Sequence, residues 1–177
     1  MLCSEERTLL INSKVTGFLK PYKEKEYYFA GLLPNEGYSV ESVLSEMSAE
    51  EWSMLFWKAR RAKVDVKIPE YRFEYEKDLS GILNELGVSS AFDQTRSNLQ
   101  NMITIDGSYV EGVVQKSYIE VSRKGTRAAV ITGIIAVAGC ILEDRYEVYL
   151  DRPFIFAIYQ SHTGIPVFIG VVKTMDS

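Results

Sequence analysis

An α+β fold rich in strands is predicted by three features of this 177-residue sequence. Short runs of period-two alternation recur in both halves of the chain. Two amphipathic helical patterns lie between Val40 and Ala59. Turn signals separate these segments, and no internal repeat, low-complexity tract or Pro/Gly linker divides them. Hydrophobic residues make up 46% and charged residues 25%, an ordinary globular composition that can bury a core without disulfide staples.

Arg7 to Ser13 is the first strand candidate. Val15–Lys23 and Tyr27–Leu33 are two further strand candidates, and the charged turn Lys23-Glu24-Lys25-Glu26 joins them as a hairpin. Pro34-Asn35-Glu36-Gly37 is a strong turn that ends it. Val40, Val43, Leu44 and Met47 then fall at helical spacing. Ser48 with Glu51 three residues later is a capping box, and Trp52, Leu55, Phe56 and Ala59 form the apolar stripe of the helix it starts.

Lys63 to Ile68 alternates with Val64, Val66 and Ile68 on one face. Pro69 interrupts it, and Tyr71, Phe73 and Tyr75 begin another strand. Asp78 is placed to cap a short helix through Leu79, Ile82, Leu83 and Leu86, which Gly87 closes. Ser89–Gln100 reads as a polar loop and Tyr109–Ser122 as a long strand. Tyr146–Val172 reads as three strands, broken near Arg152-Pro153 and at His162-Thr163-Gly164.

The stretch after Arg127 fits none of these classes. No charge occurs between Arg127 and Glu143, β-branched residues are frequent, and Gly133 and Gly139 interrupt it. A solvated loop of this composition invites edge pairing. Two readings follow from the pattern: a buried strand plus a turn, or a segment that is a loop in one state and a central strand in another.

Several function classes are disfavoured. Twenty Lys and Arg against 24 Asp and Glu give a net charge of -4, the wrong balance for neutralising phosphates. Lys58-Ala59-Arg60-Arg61-Ala62-Lys63 reads as a helix C-terminus followed by a solvated strand face. Cys3 and Cys140 make neither a disulfide framework nor a zinc pattern, and the single His162 in a turn reads as a surface residue. The apolar run Ala128–Leu142 is shorter than the roughly 20 residues a membrane helix needs. No metal, cofactor, nucleic acid or membrane is expected.

The remaining motifs resemble one known family, the serpins, which are suicide-type serine protease inhibitors. Val148-Tyr149-Leu150-Asp151-Arg152-Pro153-Phe154-Ile155-Phe156-Ala157-Ile158 is similar to the family's C-terminal signature. Gly125-Thr126-Arg127-Ala128-Ala129-Val130-Ile131-Thr132-Gly133 resembles the hinge of the reactive-centre loop, and Val114-Gln115-Lys116-Ser117 the strand leading into it. Tyr28–Gly37 and Val66–Tyr71 resemble further family stretches, in the same order.

The resemblance implies an inhibitor rather than an enzyme, with an α+β serpin fold of antiparallel and mixed sheets, a few helices and a reactive-centre loop. A complete serpin is roughly twice as long, so residues 1–177 are expected to be one partial domain, the C-terminal half. The hinge would be Gly125, Thr126, Ala128 and Ala129, and the cleaved bond Gly139–Cys140. Ala136, Val137, Ala138 and Gly139 would set specificity. Being small and uncharged, they suit an elastase-like or subtilisin-like protease. Val130 and Ile131 are bulkier than the family's usual hinge residues. Arg123 and Glu70 carry signs opposite to those common in the family, which implies that they pair. The resemblance favours an extracellular setting, although Met1–Arg7 carries no secretory signal. The alternatives are a non-inhibitory binding or structural module and an inactive fragment. Exposed sheet edges are expected to make the chain self-associate.

Overall fold

The computed structural model describes residues 1–122 and 144–174. They form two units, one comprising residues 1–71 with the segment from residue 122 onward, the other residues 72–121.

The larger unit is built on a seven-stranded sheet. Its strands are β1 (Leu2–Ile11), β2 (Val15–Pro21), β3 (Tyr27–Pro34), β4 (Arg60–Ile68), β7 (Arg145–Tyr149), β8 (Phe154–Gln160) and β9 (Pro166–Val172). They lie in the order β7-β4-β1-β2-β3-β8-β9. Every neighbouring pair is antiparallel except β4 and β7, which run parallel. The hairpin of β2 and β3 therefore forms about the charged turn as expected, with Tyr28 opposite Pro21 at the turn end.

Two strands of this sheet start several residues earlier than the sequence reading. β1 begins at Leu2 rather than Arg7, because Leu2–Glu6 pair with the second half of β4. β4 begins at Arg60 rather than Lys63, because Arg60 and Arg61 pair with Leu9 and Thr8 beyond a bulge in β4, where Ala62 and Lys63 oppose Arg7.

Helices α1 (Val40–Glu46) and α2 (Ala49–Trp57) pack on one sheet face. The Ser48 hydroxyl accepts from the Glu51 amide and the Glu51 carboxylate accepts from the Ser48 amide, the capping box that the sequence announces. Ser39 and Ser42 build a second such box at the start of α1. Helix α2 stops at Trp57, so Ala59 packs against the core from outside it. Val43, Leu55 and Met47 meet Leu10, Leu32 and Ile155 of the sheet. The opposite face is aromatic: Phe29 stacks on Phe156 at 6.2 Å, and the Tyr71 ring meets Phe154 and Phe156 edge-on or tilted. Gly17 and Gly31 let β2 and β3 approach closely at this core.

The smaller unit holds a two-stranded sheet of β5 (Tyr71–Asp78, opening at the boundary) and β6 (Val114–Val121). Between them lie α3 (Ser80–Glu85) and a short 3-10 turn, Ser90–Phe92. β6 begins at Val114, later than the alternation from Tyr109 suggests. The Asp78 carboxylate accepts from the Ser80 amide at 2.8 Å, and Gly87 takes a left-handed conformation after α3. None of the residues 72–121 is buried within the chain.

Candidate functional site

The predicted hinge (Gly125, Thr126, Ala128, Ala129), the specificity residues (Ala136, Val137, Ala138) and the bond Gly139–Cys140 lie outside the described residues. So does Arg123; its expected partner Glu70 is exposed between β4 and β5. The structure does describe the two strands that flank this segment.

On the N-terminal side the segment follows β6, which has β5 on one side and no described strand on the other. The Leu79 amide donates to the Val113 carbonyl at 2.8 Å, and the Lys116 ammonium lies 2.9 Å from the Glu76 carboxylate. The Arg72 guanidinium sits 5.4 Å over the Tyr118 ring. One face of this sheet thus carries Arg72, Glu76, Lys116 and Tyr118. By period-two alternation the other carries Phe73, Ile119 and Val121, all half-buried. The Tyr118 hydroxyl donates to Glu120, which pushes its pKa up.

On the C-terminal side the segment passes into β7, held parallel against β4 from Lys63–Arg145 to Lys67–Tyr149. The Lys63 amide donates to the Asp144 carbonyl at 3.1 Å, and the Leu150 amide to the Lys67 carbonyl at 2.8 Å. Arg145 Nε lies 2.5 Å from Asp65 Oδ2, and this bond holds the guanidinium pKa above its ordinary value. Lys67 Nζ is 4.0 Å from the Tyr149 ring centre. Arg60 donates to the Tyr146 hydroxyl at 3.1 Å. Desolvation, then the neighbouring Glu147, raises the Tyr149 pKa. Val148 and Leu150 are buried, and Arg152 donates to the Pro34 carbonyl at 3.2 Å, so this end of the segment is firmly anchored.

Asp65, Lys67 and Arg60 were not legible as anchors, because a parallel pairing across some eighty residues leaves no local pattern. His162 lies exposed in the turn between β8 and β9. Cys3 is a free, exposed thiol. Among the described residues no group of three His, Cys, Asp or Glu side chains is arranged to hold a metal.

This order of elements agrees with the comparison to known proteins. The family model for serpins (serine protease inhibitors) matches residues 9–175. The chain belongs to the serpin family. Serpin B9 of Homo sapiens is 28% identical over 154 residues, covering 85% of this chain and 40% of that protein. Leukocyte elastase inhibitor A of Mus musculus is 31% identical over 160 residues, covering 86% and 41%. The native-state crystal structure of the thermophilic serpin tengpin superposes with a TM-score of 0.78 at 30% identity, over 98% of this chain and 46% of tengpin. Its latent-state structure gives a TM-score of 0.74 at 25% identity, over 99% and 46%. The chain thus spans about two fifths of the length of these curated relatives. Membership places it among relatives of protease inhibitors, not of enzymes.

Proposed function

We propose that residues 123–143 are the bait of a serpin-type inhibitor of serine proteases. The observation that carries this reading is the position of the uncharged segment. It lies inside the family match, between a strand with a neighbour on only one side among the described residues and a strand pinned in a large sheet.

In this reading the serine hydroxyl of the target attacks the Gly139 carbonyl carbon. The Gly139–Cys140 peptide bond breaks, the Cys140 amine leaves with the transferred proton, and Gly139 remains as an ester on the protease. The freed arm then folds in beside β6 as a new strand. Thr126, Ala128, Val130, Thr132, Ile134 and Ala136 face one side of it. Burying each Val or Ile contributes about 1.5–3 kcal/mol, so insertion runs downhill, and inhibition requires that it outpace deacylation. Gly125, Thr126, Ala128 and Ala129 form the hinge, and an Arg123–Glu70 pair ties its base to the start of β5. Ala136, Val137, Ala138 and Gly139 offer a shallow S1 pocket a small residue, which favours an elastase-like or subtilisin-like target.

Insertion needs a neighbour on both sides of the new strand, and β5 and β6 supply one. Inhibition therefore requires the part of the serpin fold that precedes this chain in full-length relatives, and the edges of β6 and β9 that no described strand covers favour self-association without it. A second reading, a non-inhibitory module or inactive fragment, is favoured by residues 72–121, none of which is buried, and by the bulk of Val130 and Ile131.

The test mixes the chain, alone and with the remaining serpin portion, with pancreatic elastase, subtilisin and trypsin. A covalent complex that survives SDS with the first two, together with a new N-terminus at Cys140, supports inhibition. Cleavage without a complex supports the second reading.

A further inference from the structure

Arg145, the first residue of β7, is held in two ways. It pairs with Lys63 across the parallel ladder, and its Nε lies 2.5 Å from Asp65 Oδ2. Cys140, which follows the bond assigned to the protease, stands five residues before it. An extended chain spans at most about 3.6 Å per residue, so that bond lies within roughly 18 Å of the Arg145 anchor. A protease of about 250 residues has a radius of gyration of roughly 18 Å, and its outer radius is larger. The tether is therefore shorter than the protease is wide. The cleft holds residues on both sides of the bond, which shortens the free tether further. An enzyme at Gly139–Cys140 is drawn against the end of the sheet where β4 and β7 begin.

The side chains at that end are of the kinds that carry interface energy. Helix α2 ends at Trp57, whose side chain is 80% exposed, and Lys58 follows as its cap. β4 then opens with Arg60 and Arg61, both exposed. Arg60 lies 5.6 Å over the Tyr146 ring and donates to its hydroxyl at 3.1 Å, which holds the guanidinium beside the start of β7. Trp and Arg are enriched among interface hot spots. The end is also cationic. Lys58, Arg60, Arg61 and Lys63 fall within six residues that contain no acid, in a chain of net charge -4. Arg145 is matched by Asp65 and Arg7 by Glu5, while Glu143 and Asp144 return two negative charges, so the balance stays positive. Exposure alone does not say what meets this end; the tether does.

We infer that Trp57, Lys58, Arg60 and Arg61 form a second contact surface for the target protease, one that selects an enzyme whose cleft is bordered by carboxylates on the side that takes the residues after the cut. The inference rests on the bait reading and on the bond Gly139–Cys140.

Cleavage kinetics on the full chain test it, with two forms of subtilisin as probes. One carries two added glutamates on the rim that takes the residues after the cut, the other two lysines at the same positions. At about 20 mM salt, kcat/KM at Gly139–Cys140 is expected to be at least about tenfold higher for the glutamate form, and the difference is expected to collapse at about 0.5 M salt. A synthetic peptide of residues 132–144 has no sheet end and keeps Glu143 and Asp144, so it is expected to favour the lysine form. K58E/R61E is expected to reverse the preference of the chain, and K58E alone, outside both α2 and β4, to shift it about threefold. W57A is expected to lower kcat/KM roughly fivefold with both forms, through KM rather than kcat. An unchanged thermal melt confirms the fold of each variant. Equal cleavage by the two forms overturns the inference, as does a preference that survives in K58E/R61E or that the peptide shares. If neither form cuts the chain at Gly139–Cys140, the bait reading fails and this inference with it. A cut at that bond without rim preference overturns this inference alone.

Discussion

Arg145 Nε lies 2.5 Å from Asp65 Oδ2, joining the first residue of β7 to the middle of β4. The pair is partly solvated, with side chains 66% and 24% exposed, so its worth is modest and salt-dependent. Its place matters more than its energy, because β7, five residues long and the outermost described strand of its sheet, receives the chain from residues 123–143. Asp65→Ala is expected to speed hydrogen exchange at the β7 amides Tyr146–Tyr149 while leaving β2 and β3 unchanged. At 1 M salt the difference from wild type is expected to shrink.

Lys20 and Glu6 form a different kind of pair. Lys20 Nζ is 2.5 Å from Glu6 Oε1, with side chains only 14% and 9% exposed, and the Ser4 hydroxyl donates to the same carboxylate at 2.7 Å. Removing one partner strands the other charge in a poorly hydrated place. Glu6→Ala is expected to cost about 3–5 kcal/mol in chemical denaturation. The double variant E6L/K20M is expected to recover most of that loss, or all of it, because apolar packing replaces the pair without a desolvation cost.

The close approach of β2 and β3 depends on Gly17. A Cβ there would sit 2.3 Å from the Gly31 carbonyl oxygen, a backbone atom that cannot yield. Gly17→Ala is expected to lower stability by about 3 kcal/mol, at the upper end of overpacking costs. Gly81 in α3 is the counter-case, with nothing within 4 Å of its added Cβ. Gly81→Ala is expected to be neutral or to stabilise by about 0.5–1 kcal/mol. Urea unfolding of the two variants reads both signs.

The Tyr159 ring stacks on Tyr28 at 5.6 Å and meets Phe56 edge-on at 5.2 Å. Burial pushes its hydroxyl pKa from 10.0 up to about 12, and Tyr28 adds to the shift. The folded state therefore holds this proton more tightly than the unfolded state. Its contribution is intact below pH 10 and is lost as pH rises toward about 12. Burial raises the Tyr71 hydroxyl in the same direction. Tyr159→Phe is expected to flatten the alkaline decline in melting temperature over that window. An equally steep decline in the variant would count against this assignment.

How far the fold was legible depended on whether the signal was local. The capping box at Ser48 and Glu51, the hairpin between Val15 and Leu33 and the turn at His162-Thr163-Gly164 all rest on neighbouring residues, and all formed. The cap at Ser39 escaped because Ser42, not an acidic residue, closes it. The N-terminal half of β1 escaped because Cys3-Ser4-Glu5-Glu6 looks solvated, whereas Glu6 is buried by virtue of Lys20, fourteen residues away. The apolar spacing of Ile82 and Leu86 suggests a packed helix face, yet they stay 40% and 75% exposed. Among the described residues nothing covers that pattern, which agrees with a match to under half of each full-length relative. The residues proposed as bait rest on the resemblance alone, since their pattern by itself favours a buried strand plus a turn.

The central claim is that residues 123–143 present Gly139–Cys140 to a protease. Brief digestion with an elastase-like enzyme, read by intact mass, tests it most directly. The account predicts a first cut that releases Cys140–Ser177 as a single fragment, ahead of any cut within residues 1–122. A first cut in the exposed loop between α3 and β6, with residues 123–143 left whole by elastase, subtilisin and trypsin alike, would contradict it.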